Sequence, residues 1–345
     1  MSNQINLNKI KKPLIIAEIG LSHFGNFATA KKLIDICKVS GADVVKFQTH
    51  IAEYESTYDE PFRISLGKKF KNRFDYWKKT SFTKTEWKKL ILYCKKKKIY
   101  FQTSPFSVEA VRMMREAGCK NWKLGSGEVF DNGIMNEILK KKSECLVISS
   151  GLSTIKDIKD NINFLKKKTE NYAVLQCTSS YPCELKQVGI NVINYMRNKF
   201  KVVSGLSDHT GNLSTSIYAL AKNASIIEIH VCYDKNKDVG PDVTSSLDFN
   251  ELSILSKIRD DFEILKKNNE NKKILTTKQK NLKKIFTKSL SLKKDLKKGK
   301  ILKNINITLK KPGNGLKIKD LNKIIGKKAK ENLSRFNILK LKDFV

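Results

Sequence analysis

The stretch LIIAEIGLSHFGNFATAKKLIDICKVSGADVVKFQ, Leu14 to Gln48, decides the fold. It opens with an apolar run, Leu14 to Glu18, and closes with another, Val44 to Gln48. Between them Ala30, Leu33, Ile34 and Cys37 fall at the i, i+3, i+4, i+7 spacing of one helix face. A strand, a helix and a second strand in so short a length imply parallel pairing, because the helix carries the chain back to the edge it started from. Working outward, the alternation recurs. Strands are predicted at Ile99 to Thr103, Asn121 to Gly125, Cys145 to Ser149, Ala173 to Cys177, Lys201 to Gly205 and Ile226 to Val231, making eight. Another helix face runs through Ile155, Ile158, Ile162 and Leu165. Most strand starts lie 22 to 30 residues apart, the length of one βα unit. Eight such units close an α/β barrel, the (β/α)8 or TIM barrel. The exception is residues 50–82, an aromatic-rich insertion (Tyr54, Tyr58, Phe62, Phe70, Phe74, Tyr76, Trp77) expected to be a long loop folded over the barrel mouth.

The chain's 345 residues suffice for two domains. Its 40% apolar and 30% charged residues are those of a globular protein rather than a disordered one. The net charge is +34, but only seven basic residues are Arg, and the lysines spread through every helix-like segment. A nucleic-acid site would concentrate Arg on one element with stacking aromatics. The charge therefore reads as a Lys-rich solvated surface with nonspecific attraction to polyanions, and no specific nucleic-acid partner is expected. Seven scattered cysteines with no CxxC pair read as reduced thiols. The first twelve residues lack an apolar signal region, and no stretch approaches the 18 or so apolar residues of a membrane span, so a cytoplasmic protein without membrane association is expected. The barrel is assigned to residues 1–265. The polar run KKNNENKKILTTKQKNLKK, 266–284, reads as a linker, and 285–345 as a small domain of short strands and few helices.

In such a barrel the active site lies at the C-terminal ends of the strands. Reactive residues gather at all eight: Glu18; Lys46 and Gln48; Thr103 and Ser104; Lys123, Ser126 and Glu128; Ser149 and Ser150; Ser179 and Tyr181; Ser207, Asp208 and His209; Glu228 and His230. Hydroxyls and glycines beside two lysines offer the donors and fixed charge a phosphate group needs, where isolated Ser or Gly would simply cap helices. His209 and His230 fall on adjacent strands. Two imidazoles with water or a substrate oxygen suit a divalent cation such as Mn, Co or Zn; the alternative is a pair of merely hydrogen-bonded interior histidines.

The runs IIAEIG (15–20), GADVVKFQT (41–49), TSPF (103–106), WKLGSGE (122–128), SSGLST (149–154), CTSSYP (177–182), GLSDHT (205–210) and GPD (240–242) resemble the sialic acid synthases. The tail, with KKPGNG (310–315) and IIGKKAKENL (324–333), resembles that family's C-terminal antifreeze-like (SAF) domain. The resemblance implies an enzyme, a transferase that condenses phosphoenolpyruvate with an N-acylated hexosamine, N-acetylmannosamine or a deoxy-diacetamido relative. The products would be a nine-carbon sugar acid and phosphate, released with C–O cleavage. It implies that His209 and His230 hold a divalent metal, Mn2+ or Mg2+ with Co2+ as a further option. Lys123, Ser126, Ser207 and the hydroxyls of Thr103, Ser104, Ser149 and Ser179 would bind the phosphate and carboxylate, with Lys46 nearby. Glu18 would be the acid/base, and Gln48, Glu128, Tyr181 and Asp242 would orient the sugar. A head-to-tail homodimer is implied, with Lys311 reaching the sugar in the partner subunit.

Departures from the pattern fall mainly on the sugar side: Ser22-His23-Phe24-Gly25 after the first strand, Ile229 in place of a lysine, Val243 after GPD, and Lys311 in place of an arginine. The acceptor is therefore left open. Alternative readings are a related metal-dependent enzyme condensing phosphoenolpyruvate with a sugar phosphate, a Schiff-base aldolase using Lys123 or Lys46, and a polyanion- or carbohydrate-binding protein.

Overall fold

The computed structural model describes residues 4–64, 70–236, 238, 240–268, 270 and 272–345. The chain divides into two compact units, Met1–Lys267 and Asn268–Val345.

In the first unit eight parallel strands close on themselves: β1 (Leu14–Gly20), β2 (Val44–Thr49), β3 (Tyr100–Pro105), β4 (Asn121–Leu124), β5 (Cys145–Ser149), β6 (Tyr172–Cys177), β7 (Val203–Asp208) and β8 (Ile226–Cys232). Each pairs with the next, and β1 also pairs with β8, which makes the sheet a TIM barrel. A short strand, β9 (Ser246–Asp248), adds alongside β8 and was not expected. Helix α1 (Phe27–Val39) returns the chain from β1 to β2. The insertion after β2 carries α2 (Ala52–Glu55) and α3 (Arg73–Thr80) before α4 (Lys84–Lys97) leads to β3. It is thus partly helical, a correction to the expected loop; residues 65–69 of it lie outside the described residues. The circuit continues with α5 (Val108–Glu116), α6 (Asn132–Leu139), α7 (Ile155–Lys166), α8 (Ile190–Tyr195), α9 (Leu213–Ala221) and, after β9, α10 (Phe249–Lys267).

Side chains alternate across each strand, so every strand contributes one set to the helix-packed exterior and one to the barrel interior. Ile15, Ala17 and Ile19 of β1, Val45 and Phe47 of β2, and Trp122 and Leu124 of β4 pack outward in the main core. Leu14, Ile16, Val44, Val147, Ala173, Leu175 and Ile226 fill the lower interior, stoppered by Ile5 and Leu7. The Ile5 and Leu7 amides donate to Asn121 Oδ1 and Asn171 Oδ1, each at 2.8 Å. Above this apolar plug the same inward parity delivers the polar set, and the register fixes who meets whom. Glu18 stands opposite both Lys46 and His230, and Ser207 opposite both Cys177 and Glu228.

In the second unit, β10 (Ser289–Leu292) and β11 (Ile307–Lys310) form an antiparallel pair over a small core of Leu290, Leu292, Leu302, Ile324, Leu339 and Phe344. The stretch expected to be a linker holds a helix, α11 (Thr277–Phe286). Its start is set by a capping box in which Thr276 accepts from the Gln279 amide and Gln279 from that of Thr276. Residues 269 and 271 of that stretch lie outside the described residues. Among the described residues no helix is long and apolar enough to cross a membrane.

Candidate active site

A cavity of about 300 Å3 opens at the C-terminal end of the barrel. Its walls include Glu18, Lys46, Gln48, Ser104, Lys123, Ser126, Glu128, Ser149, Ser179, Tyr181, Ser207, His209, His230 and Asp242, which is nearly the whole set expected from sequence. Thr103 and Lys311 are the exceptions. Thr103 has outward parity on β3, and its hydroxyl bonds Thr49 Oγ1 at 2.7 Å and the Phe47 carbonyl at 3.2 Å, so it is a structural residue. Lys311 belongs to the second unit, where its ammonium lies 5.5 Å over the Phe286 ring.

The floor holds four buried charges. Lys46 pairs with Glu18 and lies 3.8 Å from Glu228, while Lys123 lies 3.7 Å from the other oxygen of Glu228. Ser207 donates to Glu228 at 2.8 Å. Burial alone would raise the Glu228 carboxyl, but Lys123, Lys46 and the Ser207 hydroxyl outweigh it and keep it ionised. Burial also pushes Lys46 down to about 8, against the pull of Glu228. Lys123 donates to Ser149 Oγ at 2.6 Å, and Lys46 to Ser104 Oγ at 3.3 Å. Beside them the Gly151 amide donates to Ser126 Oγ at 3.0 Å. A side chain at Gly151 would collide with the Ser126 and Ser179 hydroxyls and with Cys177 Sγ, so the absent Cβ leaves a small hydroxyl-lined cradle. Glu18 also lines the cavity; its Oε2 pairs with Lys46, and its Oε1 is buried with no hydrogen-bond partner.

The opposite wall is aromatic. The Tyr181 ring stacks on His209 with centroids 4.0 Å apart, and His209 and His230 are 5.5 Å apart. The donor chemistry of this pair fits a divalent cation. The Thr178 carbonyl accepts from His209 Nδ1 at 2.9 Å, which fixes the proton there and leaves Nε2 as a ligand. Burial lowers His230 to about 4, so its imidazole is neutral. Among the described residues no group of three or more His, Cys, Asp or Glu side chains forms a metal-binding set. A cation held by the two histidines would therefore take its other ligands from water or substrate.

Several wall residues escaped sequence reasoning. Arg63, from the insertion, lies 3.9 Å over the Tyr181 ring and donates to Asp242 Oδ1 at 2.5 Å and to the Pro241 carbonyl at 2.9 Å. Arg73 and Phe106 also line the cavity, together with Glu228 and Trp77, which the sequence had already placed at the barrel mouth. The aromatic signal of the insertion did point here through Phe62, Tyr76 and Trp77, whereas Tyr54 and Tyr58 are exposed. Nothing in the sequence marked Arg63 among seven arginines.

Comparison with known proteins returns two family matches, the NeuB family over residues 33–271 and the SAF domain over 287–345. The N,N'-diacetyllegionaminic acid synthase of Campylobacter jejuni is 34% identical over 96% of this chain and 100% of its own length. A C. jejuni pseudaminic acid synthase is 30% identical over 98% of each chain. Among solved structures, the N-acetylneuraminic acid synthetase of Leptospira borgpetersenii, in complex with citrate, superposes with a TM-score of 0.68 at 25% identity, over 81% of this chain and 95% of that one.

Proposed function

Because the chain belongs to the NeuB family and ends in a SAF domain, we propose that it condenses phosphoenolpyruvate with an N-acylated hexosamine and water, giving a nine-carbon sugar acid and phosphate. The observation that carries the reading is the cavity floor, where Lys46 donates to Ser104 Oγ and Lys123 to Ser149 Oγ, with Ser126, Ser179 and Ser207 lining the same cavity. That is a receptor for a ligand bearing both phosphate and carboxylate. Names of relatives ending in legionaminic and pseudaminic acid synthase support a deoxy-diacetamido acceptor as the first to try.

In this reading Lys123, Ser126, Ser149 and Ser179 hold the phosphate, while Lys46, Ser104 and Ser207 hold the carboxylate. Glu18 moves the proton: its oxygen outside the Lys46 ion pair takes one from the attacking water. Carbon 3 of the enol bonds the aldehyde carbon, water adds at carbon 2, and phosphate leaves with the bridging oxygen. Gln48, Glu128, Tyr181 and Asp242 orient the sugar. His209 and His230 would hold a divalent cation, Mn2+ or Mg2+, which when bound supplies Lewis-acid polarisation of a carbonyl oxygen. The partner is a second copy of the chain, to be tested by the mass of the assembly in solution.

The test is phosphate release from phosphoenolpyruvate with N-acetylmannosamine, its deoxy-diacetamido relatives and arabinose 5-phosphate as acceptors. Release with the acylated hexosamines alone is expected, with solvent oxygen entering the acid and not the phosphate. Release with arabinose 5-phosphate alone would overturn the reading in favour of a sugar-phosphate condensing enzyme.

A further inference from the structure

Where β2 ends, the chain turns directly into α2, and the last residue of that short helix folds back on the turn. Glu55 Oε1 lies 2.6 Å from His50 Nδ1, and Oε2 accepts from the Ile51 amide at 3.4 Å. The His50 ring is sandwiched between Trp77 of α3, 3.8 Å away and 6° from parallel, and Phe106 after β3, 4.2 Å away and 16° from parallel. It cannot rotate without losing both faces. In its plane, the remaining nitrogen, Nε2, lies 3.3 Å from Gln48 Oε1. Both members of the pair are almost fully buried, His50 at 2% and Glu55 at 6% side-chain exposure. Glu128 and His23 are the other ionisable groups that feel the charge of His50.

We propose that Glu55 and His50 form a rigid pair that fixes the amide of Gln48, so that Gln48 turns its NH2 group into the cavity as a hydrogen-bond donor to an acceptor-sugar oxygen. The carboxylate, an acceptor only, holds a proton on Nδ1. Nε2–H donates to the Gln48 carbonyl, which uses that oxygen and leaves the NH2 for the ligand. The second ring proton is balanced by Glu55 and by an aromatic face on each side. An amide left to itself would present either end; this one presents a donor, which suits an acyl carbonyl or a hydroxyl oxygen. His50 is thus a positioning residue, acting through Gln48. The identity of the ligand as a sugar rests on the reading above, whereas the state of the pair does not.

Two measurements on the full-length protein test this. In the first, His50→Phe, which keeps the stack and removes both hydrogen bonds, should raise the KM for the acylated hexosamine about tenfold and leave that for phosphoenolpyruvate unchanged, a loss of about 1.4 kcal/mol. Glu55→Gln alone, which keeps a neutral hydrogen-bond acceptor for Nδ1–H and loses the carboxylate charge, should raise the same KM by less than His50→Phe does, again with the phosphoenolpyruvate KM unchanged. In a Gln48→Ala background His50→Phe should add less than about twofold, because the two act as one unit. A parallel rise in the phosphoenolpyruvate KM, or full additivity with Gln48→Ala, would overturn the proposal. The second needs no turnover. With only four histidines in the chain, 15N-histidine NMR should show His50 with both ring nitrogens protonated, Nε2–H perturbed by Gln48→Leu and Nδ1–H by Glu55→Gln. A bare Nε2 would refute the pair. An absence of condensation with every hexosamine alongside the expected spectrum would instead sink the functional reading and keep the pair.

Discussion

Replacing Gly151 with alanine isolates the proposed phosphate cradle. A Cβ there would sit 2.5 Å from Ser126 Oγ and 3.0 Å from Cys177 Sγ, and would also press on Ser179 Oγ, where ordinary contact begins at 3.4 Å. The Ser126 hydroxyl must therefore move by about 0.9 Å, out of reach of the Gly151 amide that it accepts from at 3.0 Å. Losing that bond costs about 1 kcal/mol of stability. Displacing two hydroxyls by nearly an ångström from a bound phosphate weakens its binding, and misplacements of that size cost up to about a hundredfold. The displacement predicts a 10- to 100-fold rise in the phosphoenolpyruvate KM, about 1.4 to 2.8 kcal/mol. Gly151 carries no positive φ, so the backbone accepts alanine without strain. The displaced hydroxyls border open space and can rotate, so the melting temperature should fall by less than about 4 °C. Steady-state phosphate release with each substrate varied, and a thermal melt of the same preparation, give both numbers. An unchanged phosphoenolpyruvate KM, or a rise confined to the hexosamine, would show that the phosphate lies elsewhere.

The other predictions address the metal, the insertion and the pH response. Chelation should abolish phosphate release and Mn2+ or Mg2+ restore it, and His209→Ala or His230→Ala should each cost several orders of magnitude in kcat/KM; full activity in chelator would exclude the cation. Arg63→Ala removes the guanidinium that lies on Tyr181 and anchors Asp242. It should raise the hexosamine KM about 5- to 30-fold, or about 1 to 2 kcal/mol for a partly exposed contact, with the phosphoenolpyruvate KM unchanged. Burial holds His23 at about 3, below its ordinary 6.5. The unfolded chain therefore binds the extra proton in that window, and stability is full above about pH 6.5 and falls as the pH drops toward 3. Between pH 6.5 and 4.5 His23 accounts for a loss of about 2.3 kcal/mol. Urea melts at the two values should show a smaller difference for His23→Leu than for the natural protein, and an equal difference would refute the assignment.

Much of this was legible in the sequence, for a definite reason. A strand has a period of two, so once Leu14, Val44 and Ile226 are placed in the barrel's apolar plug, Glu18, Lys46, Glu228 and His230 must share its interior. The same parity would have excluded Thr103, which stands one residue from Ser104 and faces the helices. Cap chemistry was readable at Thr276 too, where the capping box starts a helix inside a run whose lysines suggested none. The insertion carried no such period. Its aromatic content told where it would go, but not that Trp77 and Phe106, 29 positions apart, would close on His50 from opposite sides. Nor did it tell that Arg63 would reach Asp242, 179 positions away. Short-range periodicity fixed which residues enter the barrel, because side-chain direction along a strand is a local property of the backbone. Which irregular segments meet above the barrel was decided by the packing of distant side chains, and that information exists only once the chain is folded.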